Sequence, residues 1–134
     1  MKIKIRLIID ALEMVSENTE VFYDTRTGDF LYVSLLLDSD NAIEKLEDDP
    51  DRYIRLPSKK EINVYNIIEQ FSSAVEDESV RSELLSSIQG KGAFRRFNEI
   101  ITKYNLLHLW YSFKENSYRE IAVSWCKENC LDYQ

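Results

Sequence analysis

The hydrophobic rhythm of this 134-residue chain shifts near Pro57, and that shift limits its fold more than any other feature. Between an N-terminal helical stripe and Leu56, apolar residues gather in short clusters, two of them β-branched and aromatic. Beyond Pro57 they recur every three or four positions almost to the end, the period of a helical face. Three glycines and two prolines leave little room for long loops. The pattern predicts an α+β fold, mostly helical, with a small antiparallel sheet packed on a C-terminal helical bundle. Residues 1–57 would form the α/β-hairpin portion and 58–134 the helical portion. Neither is long enough to be comfortable alone, so a single domain over 1–134 is expected.

Ile5, Ile8, Ile9, Leu12 and Val15 give residues 5–16 one apolar stripe, although Lys2-Ile3-Lys4-Ile5 alternates as a short strand would. Val21-Phe22-Tyr23 and Phe30-Leu31-Tyr32-Val33 flank a turn in which Gly28 can take positive φ, the signature of a β-hairpin. Ser39 or Asp40 is placed to cap a short helix through Leu46. Arg52-Tyr53-Ile54-Arg55-Leu56 then alternates as a third strand. Ser58 and Glu61 have capping-box spacing, so a helix is expected from there, with Ile62, Tyr65, Ile68, Phe71 and Val75 on its inner face. Further helices are expected over about 80–88, then with Phe94, Phe97, Ile100, Ile101 and Tyr104 inward, then over 106–113. Asn116 or Ser117 would cap a last helix carrying Tyr118, Ile121, Ala122 and Trp125.

Charge narrows the function classes. Seventeen basic residues against 24 acidic give a net charge of −7. Such a field keeps a chain in solution and repels nucleic acid and anionic lipid, so contact with phosphate would need a local basic patch. No apolar run approaches the length of a membrane span, and the N-terminal apolar stretch, interrupted by Asp10 and Glu13, does not read as a signal peptide. Cys126 and Cys130, four apart in the last expected helix, sit too far apart at Cβ for an easy disulfide. They read as two reduced thiols in a cytoplasmic protein.

The basic patch is Gly90-Lys91-Gly92-Ala93-Phe94-Arg95-Arg96-Phe97. Its glycines let the backbone turn sharply before a helix whose start already offers positive potential. Cations there are disfavoured, each by about 0.3–1 kcal/mol, and this helix carries Lys91, Arg95 and Arg96 with no acid before Glu99. Something negative should offset them. An internal carboxylate (Glu76, Asp77, Glu78 or Glu83) is one candidate, and the excess of acid in the chain favours it. An external anion or an acidic partner is the other. The segment is not a P-loop, because only Lys91 separates the glycines and Gly92 follows that lysine.

Ser58 with Glu61, the glycine-and-arginine octapeptide, Trp110 and Phe113, Tyr118-Arg119-Glu120-Ile121-Ala122 and Trp125, together with Thr27-Gly28-Asp29 in the hairpin, resemble the pattern of the bacterial uncharacterised protein family numbered one-five-eight. The likeness covers nearly the whole chain. It implies a bacterial cytoplasmic protein and supplies no catalytic residue.

Other chemistry is weaker. His108 lacks an identifiable nucleophile partner and reads as a half-buried structural histidine. With Cys126 and Cys130 it would make three zinc ligands where a structural site needs four, so neither metal nor cofactor is expected. Asp48, Asp49 and Asp51 lack the EF-hand spacing. Trp110, Tyr111, Phe113, Tyr118 and Trp125 read as core between the last two helices. With no hydrolase, metalloprotease, dinucleotide or kinase motif present, the reading leans away from an enzyme. The sequence points first to an interaction or regulatory protein. Gly90, Lys91, Gly92, Arg95 and Arg96 would contact a protein partner or small anion. Nucleic-acid binding through the same segment and a small enzyme acting on a phosphorylated metabolite are the alternatives.

Overall fold

The computed structural model of the chain describes residues 2–37 and 41–134. Two compact units are present. Met1–Ile62 with Tyr118–Gln134 form the first, and Asn63–Ser117 the second. The fold is a mostly helical α+β fold with one three-stranded antiparallel sheet.

In the first unit, α1 (Ile5–Glu13) buries Ile5, Ile8, Ile9 and Leu12 of the expected stripe, with Ala11 beside them, and ends before Val15. The competing strand at Lys2–Ile5 survives as a single parallel bridge between Ile3 and Tyr133. Strands β1 (Thr19–Asp24) and β2 (Phe30–Ser34) form the hairpin, and Gly28 takes φ 82° in its turn. The expected cap at Ser39 or Asp40 lies outside the described residues. Helix α2 follows at Ala42–Asp48. Strand β3 (Tyr53–Arg55) pairs with β1 on the side opposite β2, so β1 is central.

Val21, Tyr23, Val33 and Leu56 are buried. Trp125 anchors this core, its ring edge-on to Tyr23 at 6.0 Å and its indole N–H donating to the Arg55 carbonyl at 3.0 Å. Behind the hairpin turn, Asp24 is buried and accepts two bonds from the Arg52 guanidinium, at 2.8 and 2.7 Å. The bidentate pair holds the Asp24 carboxyl far below the ordinary carboxylate range, against the desolvation that would raise it.

The capping box forms reciprocally. Ser58 N–H donates to Glu61 at 3.0 Å, and Glu61 N–H to Ser58 Oγ at 3.2 Å. The Ser58 N–H donated to the carboxylate, with the Arg55 guanidinium, lowers the Glu61 carboxyl to about 2. The helix it starts, α3, ends after one turn (Lys59–Ile62) rather than running on to Val75. Asn63 turns left-handed at φ 52°, which asparagine tolerates, and its side chain caps Asn66 N–H in the next helix.

The second unit opens with that helix, α4 (Val64–Ser73), and continues through α5 (Glu78–Ser87) and α6 (Ala93–Lys103). Asp77 caps α5 by accepting from Val80 N–H at 3.0 Å, so this helix begins ahead of the expected Val80. Phe71 lies at the centre of an aromatic cluster with Phe97, Trp110 and Phe113, at ring distances of 5.4–6.0 Å. Leu84, Ile88 and Ile101 are buried in the same unit.

Two expected helices are in fact one, α7 (Leu107–Glu128). Asn116 and Ser117 resemble caps in sequence, but the Ser117 hydroxyl donates back to the Phe113 carbonyl at 3.0 Å, a bond made inside a continuing helix. Trp110 and the half-buried Phe113 serve the second unit, and Tyr118 and Trp125 the first, so these aromatics do not join the last two helices; Tyr111, also expected in the core, is 61% exposed. Burial pushes the Tyr118 phenol up to about 12.

Asn105 (φ 59°) and Cys130 (φ 55°) end α6 and α7 in left-handed caps, with Leu106 N–H returning to Ile101 and Leu131 N–H to Cys126. Cys130 is therefore beyond the helix, not on the face that buried Cys126 occupies. Both thiols are free.

Candidate functional site

Gly90 and Gly92 both have positive φ, 71° and 78°, and carry the chain from the end of α5 into α6. Arg96 explains the tightness of that turn. Its Nε donates to the Ser87 carbonyl at 2.6 Å, Nη2 to Gln89 at 2.6 Å and Nη1 to Lys91 at 2.7 Å. These carbonyls lie at and beyond the C-terminal end of α5, where backbone acceptors lack partners and the potential is negative. The sequence poses a choice between a carboxylate and an external anion for this arginine. Its partners are neither. A Cβ on Gly92 would stand 2.9 Å from Arg96 Nη1, so the glycine also leaves room for the guanidinium.

The same device occurs one helix earlier. Arg81 Nη1 donates to the Val75 carbonyl at 2.8 Å, just past the end of α4. Two successive helix ends in this unit are thus capped by an arginine from the helix that follows. Long-range carbonyl capping leaves no local sequence signature, and neither contact is evident from spacing.

The remaining charges of the segment divide. Lys103 lies 3.5 Å from Glu83, and the Tyr104 hydroxyl donates to the same carboxylate, so Glu83 is lowered from its ordinary value first by that phenol and then by the lysine. Among the described residues, the side chains of Lys91 and Arg95 make no ion pair or hydrogen bond, and both residues are exposed. The four acids considered as internal partners therefore engage neither arginine.

Phe94, expected inward, is 52% exposed. Ala93, Phe97, Ile100 and Ile101 occupy the buried face of α6, and Phe94 falls one position off it. Tyr104 is likewise partly exposed, its hydroxyl reaching Glu83. Arg95, Asn98, Glu99, Thr102 and Lys103 continue as a shallow polar strip on the outer face.

His108 is exposed rather than half-buried, because Trp110 takes the inward position of that turn. Burial raises the Cys126 thiol above its usual value, which keeps it a protonated core residue. Among the described residues no cluster of His, Cys, Asp and Glu could hold a metal ion, and no helix is long and apolar enough to cross a membrane.

A three-stranded sheet, helices with arginine-capped ends and an exposed basic helix start define a mostly helical α+β protein. The chain belongs to the uncharacterised protein family UPF0158, whose model matches residues 1–134. It is 23% identical over 109 residues to a UPF0158 protein of Pseudomonas aeruginosa, covering 81% of this chain and 71% of that one. A UPF0158 protein of Chlamydia pneumoniae is 24% identical over 132 residues, which is 95% of this chain and 41% of the relative. One from Chlamydia muridarum is 23% identical over 136 residues, again with 41% of its length spanned. The chain thus spans less than half of these chlamydial relatives. No solved structure matches it.

Proposed function

We propose that this is a non-enzymatic binding protein whose working surface is the start of α6. Lys91, Phe94 and Arg95 would engage an acidic group on a partner. Gly90 and Gly92 shape the turn, and Arg96 holds it against α5. The observation that carries this reading is a half-exposed phenylalanine flanked by two cations that the fold does not use. An arginine beside an exposed aromatic supplies both directional hydrogen bonds to a carboxylate and apolar area, the combination that dominates binding hot spots. The cytoplasm is the compartment that suits two free thiols.

Fluorescence anisotropy at low salt tests it, with a labelled Asp/Glu-rich peptide and a labelled single-stranded RNA as separate probes. The proposal expects the peptide to bind, and Lys91→Glu with Arg95→Glu to abolish binding without changing thermal stability. Failure to bind the peptide contradicts it. RNA binding with a steep salt dependence would favour the nucleic-acid reading instead. A thermal-shift screen with inorganic phosphate and sugar phosphates checks the small-anion reading.

A further inference from the structure

The second unit carries another surface that the proposed function leaves unused. A groove of about 680 Å³ is lined by Val75, Val80, Leu106, Leu109 and Phe113. Leu109 is 57% exposed at its edge, and Tyr104 is partly exposed beside it. Glu76 and Asp77 stand in the lining, followed directly by Glu78. All three acids are exposed and make no ion pair among the described residues. The groove thus combines apolar side chains with exposed acids, and the Arg81 guanidinium is bonded to the carbonyls of Val75 and Glu76 in the same lining.

The start of α6 has the opposite character, with exposed Phe94 falling between exposed Lys91 and Arg95 in the sequence. We infer that the occupant of the groove is a second copy of this chain, which inserts Phe94 and sets Lys91 and Arg95 against Glu76, Asp77 and Glu78. Charge complementarity between these exposed acids, of which Asp77 also caps α5, and the two unpaired cations selects this occupant. Size agrees, since the groove falls within the range that receives drug-sized ligands and so accommodates a phenyl ring with its neighbours. Burying Phe94 and Leu109 supplies apolar area, while the charges fix orientation and speed encounter. The contact joins different surfaces of the two copies, so it either occurs twice in a symmetric pair or runs head to tail. The inference rests on the proposed function and names the acidic partner for that site.

Sedimentation velocity over a micromolar to submillimolar concentration series, at low and high salt, tests it on the whole chain. Expected are reversible self-association, weakening of at least tenfold at high salt, and monomers for Phe94→Asp and for Leu109→Asp alone. Both residues are exposed, so circular dichroism should show each variant folded. Mixing the two variants restores association, because one intact phenylalanine still meets one intact groove. A wild type that stays monomeric at every concentration overturns the inference, as does association that both variants retain or a mixture that stays monomeric. If the acidic peptide still binds in an Arg95-dependent way while the chain is monomeric, the proposed function stands and only the self-pairing falls.

Discussion

The Arg96 guanidinium fills the space that a side chain on Gly92 would occupy, its Nη1 only 2.9 Å from the position of a Cβ there. The two residues act as one device, a glycine that admits an arginine and an arginine that closes the end of α5. Gly92→Ala should therefore cost about 2 kcal/mol, from a positive-φ backbone and from displacing those hydrogen bonds. Gly90→Ala meets nothing within 4 Å and should lose only the backbone part, about 1 kcal/mol. In the double variant Gly92→Ala with Arg96→Ala the losses should be less than additive, as urea unfolding of the four proteins would show.

The Asp24–Arg52 pair gives stability a defined dependence on acid. Asp24 in the folded chain lies below its unfolded value of about 4, so the pair contributes fully above that pH. Its contribution is lost as the pH falls below the unfolded value toward the folded one. Urea unfolding of wild type and Asp24→Asn at a series of pH values should show a gap that is largest near neutrality and closes on acidification. Arg52→Ala should lower the melting temperature by roughly 5–10 °C at neutral pH, because it leaves a buried carboxylate without its charged partner, held only by the Arg26 and Thr27 N–H groups.

Ser72 sits fully buried on α4, and its hydroxyl has no hydrogen-bond partner among the described residues. Ser72→Ala should stabilise the protein by about 1 kcal/mol, since it removes an unsatisfied group and improves helix propensity. A loss of stability would indicate a bound water or a partner at that hydroxyl.

We propose that the two compact units unfold together, because each draws a core tryptophan from the one continuous helix α7. Trp110 and Trp125 are the only tryptophans, so Trp110→Phe and Trp125→Phe leave single reporters for each unit. Fluorescence-monitored denaturation should give midpoints for each reporter that coincide with the circular-dichroism midpoint of the same variant. Separate transitions would mean two independent domains.

Local signals carried much of this fold into the sequence. The hairpin, the third strand, the Ser58–Glu61 capping box and the stripe on α1 each depend on neighbours within a few residues, and each formed. Asn63 and Ser117 misled in opposite directions. An asparagine with no glycine or proline nearby gave no sign that it would turn left-handed and stop a helix. A serine that resembled a cap instead bonded backward and let a helix continue. The basic octapeptide stood out by composition, but the division of labour within it was hidden. Whether an arginine meets solvent, a carboxylate or a carbonyl is decided by where the preceding helix ends in space, and Arg81 and Arg96 both depend on that. Phe94 faced outward because a single helical position separates it from the buried face.

The central claim is that adjacent arginines have different tasks, Arg96 holding the fold and Arg95 facing a partner. Thermal unfolding and acidic-peptide binding measured side by side on Arg95→Ala and Arg96→Ala test it most directly. Arg96→Ala should lose about 2 kcal/mol of stability through its three carbonyl partners, while Arg95→Ala melts like wild type yet loses peptide binding. Equal destabilisation by the two changes, or an Arg95→Ala protein that binds as wild type does, would contradict the account.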